Sequence, residues 1–313
     1  MKRVISHRLP RPSALPGTPW GFALVVGGAA LFACSGPQLG TWPPETPSAR
    51  SSGDAAEPSL ARLYVGTSEG PVYVLSIDEH TGALRLVQSV DAGLSPSFLA
   101  VDRAGARLFA VNEGSAQVAA YRISAGTGEL RFVNRVDSGG QSPAHLALDR
   151  SDRFVMVANY GGGNVRVLPV GADGRLGAPV QTRPTGKWAH MIQTDPSNHY
   201  VFVANKGADT LSQFLFDPTT GKLVANEKPF VRTAEGAGPR HFAFSPDGKY
   251  VFLINELDDT LSSYGFDASK GRLTWLQTLS TLPEGADGAH NTCAEVVVAP
   301  SGDFVYGSNR GDD

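Results

Sequence analysis

The sequence predicts an all-β chain folded as a β-propeller, and three observations predict it. Five apolar runs, LFAVN, FVMVAN, YVFVAN, YVFLIN and FVYGSN, each close on an asparagine: Asn112, Asn159, Asn205, Asn255 and Asn309. Their spacings are 47, 46, 50 and 54 residues, and fifteen positions before each stand Ser97, Ala144, His190, Arg240 and Ala294. Within one unit the apolar residues alternate as in strands, and no window sustains a helical period. The 36 glycines and 22 prolines supply many turns. Four short strands in a unit of 45–50 residues is the pattern of a propeller blade, whereas β-helix and sandwich repeats are shorter or less regular.

The 313 residues are enough for a sizeable core, as one large domain or two small ones. Residues 1–34 read as a targeting segment. Lys2, Arg3, Arg8 and Arg11 form a positive start, and residues 22–33, FALVVGGAALFA, form an apolar run too short to span a bilayer comfortably. The run ends at Leu31-Phe32-Ala33-Cys34, which resembles a lipobox; Cys34 is then the lipidation site, and the protein is exported and held to the membrane by its N-terminal lipid. A plain secretory signal and an uncleaved anchor are the alternatives, and a non-functional segment leaves the protein cytoplasmic. Residues 35–60, rich in Pro, Ser, Gly and Ala, read as a tether. The propeller domain is expected over 61–313.

Residues 61–93 carry three strands, RLYVGT, VYVLSI and LRLVQSV. Residues 95–140, 142–187, 188–237 and 238–292 give four full blades. Residues 293–313 begin another and end after its second strand. About five and a half blades are therefore expected, and a ring of seven would need about one and a half more. The stretch GAGPRHFAFSPDGKYVFLINE shows the half-unit most plainly: two strands around the turn Pro246-Asp247-Gly248, where proline presets one backbone angle and glycine accepts the positive one. The net charge of −3 makes no electrostatic case for nucleic acid. Cys293 is the only cysteine of the body, so no disulfide forms within it; it reads as a small buried hydrophobe.

The segments VANYGGGNV, GAGPRHFAFSPDGKYVFLINELDDTLSSY and LSTLPEGADGAHNTCAEVVVAPSGDFVYGSNRG resemble the seven-bladed propeller lactonases, the 6-phosphogluconolactonase and carboxymuconate-cyclase type. The resemblance runs from about residue 61 to 311. It implies a closed seven-bladed ring, hydrolysis of a small-molecule lactone without a cofactor, and a catalytic set that falls by motif on His190 (WAH), Arg240 (GPRH), Glu256 (NEL) and Arg310 (SNRG). Relatives of the sugar-phosphate type are usually cytoplasmic, so an exported chain points to a non-phosphorylated sugar-acid lactone as an alternative substrate.

Topology adds to this. In a propeller the start of each first strand and the turn between strands two and three lie on one face. His190 and Arg240 share the first of these columns, with Ser97, Ala144 and Ala294. Glu256 and Arg310 share the second, directly after the closing asparagine, with Glu113, Tyr160 and Lys206. Lactone hydrolysis needs an activated water and a cation for the developing oxyanion. His190 or Glu256 can serve as base, while Arg240 and Arg310 can hold an anionic group or polarise the carbonyl. An Arg240–Glu256 ion pair of purely structural value is the plain alternative. His145, His241 and Glu295 stand one position further on and are further substrate-binding candidates, although strand alternation favours packing them between blades.

Gly161-Gly162-Gly163 precedes no helix and reads as a tight turn. Asp258-Asp259 and Asp312-Asp313 read as turn acids without a calcium array, and neither zinc-ligand spacing nor a serine nucleophile elbow is found, so no metal is expected. Two other functions fit the same mouth: a non-catalytic surface propeller binding a ligand or protein, and cyclisation of a muconate.

Overall fold

The computed structural model describes residues 61–68, 70–286 and 288–311. The targeting segment, Cys34, the tether and Asp312-Asp313 lie outside the described residues. Among the described residues, twenty-one antiparallel strands form six sheets. Sheet one has three strands, Ala61–Val65, Val72–Ile77 and Leu84–Val90. Sheets two to five each have four strands in chain order, opening with Phe98–Val101, Pro143–Leu148, Ala189–Thr194 and Pro239–Phe244. Sheet six pairs Thr292–Val298 with Val305–Arg310. The strand-per-blade reading and the five apolar runs match this order. One boundary moves: Thr292 belongs to sheet six, because it pairs with Arg310.

The core lies between neighbouring sheets. Along Arg107–Asn112 of sheet two, Leu108 and Ala110 face sheet one, whereas Phe109 and Val111 pack on Leu146, Val155 and Val157 of sheet three. Equivalent strands are therefore apolar on both faces, which is why LFAVN and its counterparts read as continuous runs rather than alternating ones. Phe202 is wholly buried between sheets four and five, a burial worth about 1.5–3 kcal/mol. The turn between strands one and two is closed by a side chain. Asp149 Oδ1 accepts from Arg153 N and Phe154 N at 2.8 and 2.9 Å, and Asp195 Oδ1 accepts from His199 N and Tyr200 N at 2.9 and 2.8 Å. Ser245 Oγ takes that place in sheet five, accepting from Tyr250 N at 2.9 Å, with Gly248 at φ +68° in the turn.

Two repeated backbone features form the opposite face, where the mouth of the channel lies. Ser95, Ser142, Trp188 and Gly238 all adopt left-handed angles, φ 54°, 50°, 59° and 66°. Each carbonyl accepts the N–H of the residue after a closing asparagine: Glu113 N→Ser95 O 2.9 Å, Tyr160 N→Ser142 O 2.9 Å, Lys206 N→Trp188 O 2.9 Å and Glu256 N→Gly238 O 2.7 Å. A β-bulge follows in four of the first strands. In sheet five Pro239 pairs with Asn255 and His241 with Ile254, so Arg240 is the extra residue. Ala144 and His190 are the extra residues of sheets three and four, and the same shift lies between Cys293 and Val296 in sheet six. A bulge re-aims side chains that a regular pleat would send to opposite faces.

Candidate functional site

Glu256 sits at the mouth, 8 % exposed, with its backbone held by Gly238. Three cations from three sheets converge on its carboxylate. Lys206 Nζ donates to Oε1 at 2.6 Å, Arg310 Nη2 stands 3.0 Å from the same oxygen, and Arg240 Nε stands 2.8 Å from Oε2. The Arg240 Nε–H is not directed along that last line, so the contact is an ion pair rather than a hydrogen bond. The two guanidiniums are braced from behind: Arg240 Nη1 donates to Ala294 O at 2.7 Å and Arg310 Nη2 to Cys293 O at 3.1 Å. Burial pushes the Glu256 carboxyl up, but Lys206, Arg240 and Arg310 together hold it below its usual range. Positive charge is in excess at this point, only partly offset by Glu295, whose charge also reaches Arg240.

Below this cluster three imidazoles fill the channel. The His190 and His241 rings are 5.0 Å apart and those of His145 and His241 5.5 Å. Phe98 of sheet two packs against His145 at 4.0 Å and reaches His241 of sheet five at 6.1 Å. Sheets two and five are not neighbours, so these rings can meet only across the central channel. This corrects the expectation from strand alternation that His145 and His241 pack between blades; the bulges at Ala144 and Arg240 turn them inward. His241 Nδ1 is 2.9 Å from Glu295 Oε2, which brings Glu295 to the same wall.

All three histidines are held neutral. Burial lowers His145 and His190 well below the ordinary value, and the charge of Arg240 adds to this at both. Burial lowers His241 too, against the opposing pull of Glu295. His145 Nδ1, His190 Nδ1 and His241 Nε2 are buried without a protein hydrogen-bond partner. His145 and Met191 also line a cavity of about 380 Å³ that continues down the channel.

The structure thus brings His190, Arg240, Glu256, Arg310, His145, His241 and Glu295 around one mouth. Sequence reasoning placed Lys206, Tyr160 and Glu113 in the right column but did not select them. Lys206 makes the shortest contact to Glu256. Tyr160 stacks on Trp188 at 5.6 Å and 6°, meets His190 edge-on at 5.7 Å, and has the Lys206 ammonium 5.8 Å from its ring centre. The available signal was the column itself: any polar or aromatic residue after a closing asparagine faces the mouth. An open depression of about 610 Å³ lies beside this wall, lined by residues 161–163 and 184–188. Among the described residues no group of three or more His, Cys, Asp or Glu is arranged to hold a metal ion. Cys293 is buried with its thiol pushed up to about 12 by burial, an inert environment for sulfur.

Comparison with known proteins agrees with this architecture. The family described as Lactonase, 7-bladed beta-propeller, matches residues 62–313. A 6-phosphogluconolactonase of Bacillus subtilis is 33 % identical over 268 residues, covering 80 % of this chain and 75 % of that protein. One from Pectobacterium carotovorum is 34 % identical over 252 residues, covering 79 % and 74 %. The solved structure of the periplasmic gluconolactonase of Pseudomonas aeruginosa superposes with a TM-score of 0.75 at 29 % identity, covering 82 % of this chain and 77 % of that one.

Proposed function

Because the chain belongs to the seven-bladed β-propeller lactonases, we propose that it hydrolyses a sugar-acid lactone at the mouth formed by Lys206, Arg240, Glu256 and Arg310. The observation that carries this reading is the convergence of three cations on one carboxylate above a set of neutral imidazoles. Arg310, 30 % exposed in its side chain, is the most open of the cations and is placed to receive an anionic or polar substituent. Arg240 is placed to polarise the carbonyl and to stabilise the oxyanion.

Glu256 is a poor base, since both of its oxygens already hold cations. Its work is to fix their positions. His190 is the better base: its imidazole is neutral, its ring borders the mouth, and Nδ1 has no protein partner. Water adds to the lactone carbonyl as its proton passes to His190, and the negative charge on the carbonyl oxygen falls to Arg240. The ring C–O bond then breaks, and the imidazolium returns its proton to the leaving alkoxide. The product is a hydroxy acid, which ionises near neutral pH and releases one proton.

Both relatives that act on 6-phosphogluconolactone and a periplasmic gluconolactonase share this framework. The lipobox-like segment favours an exported, lipid-anchored enzyme and hence a non-phosphorylated lactone. The test is proton release from glucono-δ-lactone and from its 6-phospho form, each above spontaneous hydrolysis, by wild type and Arg240→Ala. Acceleration of either lactone that the substitution abolishes supports the reading, and the preferred lactone identifies the substrate. A folded protein that accelerates neither refutes it.

A further inference from the structure

The mouth holds a second carboxylate whose situation is the reverse of that of Glu256. Glu113 follows the closing asparagine Asn112, occupies the same column as Glu256, and has the same backbone bond, Glu113 N→Ser95 O at 2.9 Å. No cation lies within ion-pair distance of it among the described residues. Its one side-chain bond is from Ser97 Oγ to Oε2 at 2.9 Å. Ser97 in turn stands in the column of His190 and Arg240. Both members of the pair are half-buried, and Glu113 is near enough to Tyr160, in the next sheet, for its charge to act on that phenol. The mouth therefore has two poles. Sheets four to six present Lys206, Arg240 and Arg310, and sheet two presents a carboxylate with one oxygen, Oε1, uncommitted.

We infer that Glu113, oriented by Ser97, accepts hydrogen bonds from the hydroxyl groups of the substrate and selects polyhydroxylated lactones over plain ones. An ionised carboxylate only accepts, and its natural complement is an array of O–H donors. A lone carboxylate half-sheltered from water and unmatched by a cation is left wanting such donors when substrate displaces solvent. A site built around a substrate hydroxyl rejects the analogue lacking it far more strongly than an apolar pocket discriminates by size. The inference rests on the lactonase reading and adds to it the residue pair that recognises the hydroxyls of the sugar-acid lactone; Glu113 needs no part in activating water.

The test compares wild type, Glu113→Ala, Glu113→Gln and Ser97→Ala on glucono-δ-lactone and on δ-valerolactone, which has the same ring without hydroxyls. Gluconate binding is followed in parallel by calorimetry. Glu113→Ala is expected to raise KM for glucono-δ-lactone by about ten- to hundredfold with kcat nearly kept, and to leave δ-valerolactone unchanged. Glu113→Gln should fall between, and Ser97→Ala should shift the same ratio less. Gluconate should bind the alanine variant about tenfold or more weakly. An equal loss on both lactones marks a merely structural residue and overturns the inference, as does no change on either. Should the wild type hydrolyse neither of these lactones nor 6-phosphoglucono-δ-lactone, the parent reading fails by itself. Calorimetry then still decides the role of Glu113: unchanged gluconate affinity in Glu113→Ala, or no gluconate binding by wild type, overturns it.

Discussion

In sheets two to five the closing asparagine and the residue after it are neighbours in the chain with opposite fates. Asn112, Asn159, Asn205 and Asn255 are buried to within 1 %. They tie each second strand to the loop arriving from the preceding sheet or to the strand that follows. Asn112 Nδ2 donates to Ala92 O at 2.5 Å, Asn159 Nδ2 to Ser138 O at 2.9 Å, and Asn205 Nδ2 to Ser212 Oγ at 2.9 Å. The residue that follows, Glu113, Tyr160, Lys206 or Glu256, is anchored by its backbone N–H to a left-handed carbonyl, which leaves its side chain for the mouth. The constant position serves the blade, and the variable one serves the mouth. Except at Glu256, whose carboxylate also holds the cation cluster together, stability and chemistry are thereby assigned to adjacent residues.

The sharpest break of this comparison comes at the mouth. Arg240→Ala is expected to lower kcat/KM by about 10²–10³, the cost of removing one oxyanion donor, while the melting temperature moves by only a few degrees; pH-stat assays and calorimetry on the same preparation check both. Next comes Glu256→Gln, which leaves three cations without their counter-charge. Breaking a buried ion pair from one side costs about 3–5 kcal/mol, so this substitution should destabilise more than Arg240→Ala in denaturant titrations, with added phosphate restoring part of the loss. If Glu256→Gln is neutral, the carboxylate is not what holds the cluster.

Asn159→Ala should behave in the opposite sense. It removes two bonds from a buried amide, to Ser138 O and to Asn164 Oδ1 at 2.8 Å, and is expected to cost about 1–3 kcal/mol while kcat/KM of the folded fraction stays at the wild-type level. A loss of activity beyond the loss of fold would show that scaffold and mouth are not separable. The smallest effect is expected at the left-handed position, where sheet five has Gly238 and sheet three has Ser142. Ser142→Gly relieves backbone strain and adds unfolded-state entropy, so the change should stay within about 1 kcal/mol.

The imidazoles make the comparison pH-dependent. His145, His190 and His241 have folded-state values depressed below the unfolded 6.5. Below about pH 6.5 the unfolded chain therefore binds more protons than the folded one, and stability falls as pH is lowered from 7 towards 5. Denaturant midpoints across that range should decline, and His145→Leu should flatten the decline. Glu256 and Glu295 are depressed carboxylates, so their contribution is lost only at lower pH, from about 4.5 downward.

Much of this was legible in the sequence because a blade repeats its frame. Five asparagines at regular spacing locate the second strands, and the residues fifteen before and one after them locate the two columns that meet at the mouth. His190, Arg240, Glu256 and Arg310 follow from the columns and the family resemblance together. What stayed hidden were single-residue events. The bulge at Arg240 leaves no periodicity of its own, so strict alternation sent His241 to the wrong face. Lys206 stood in the right column but was not selected, because its partner, Glu256, lies 50 residues away. Glu113 was passed over because a carboxylate bonded only to Ser97 shows no charge partner in any nearby motif.

The backbone bond from the variable residue to a left-handed carbonyl in sheets two to five has a consequence for how such a mouth can change over generations. Because the frame grips the backbone there and not the side chain, residues other than proline can occupy the position without rebuilding the loop. A single codon change can therefore exchange acid for base or aromatic for cation at a fixed point in space. Each blade thus offers a socket of its own, and substrate preference can change one socket at a time at Glu113 and Tyr160, outside the ion-paired cluster of Lys206, Glu256 and Arg310.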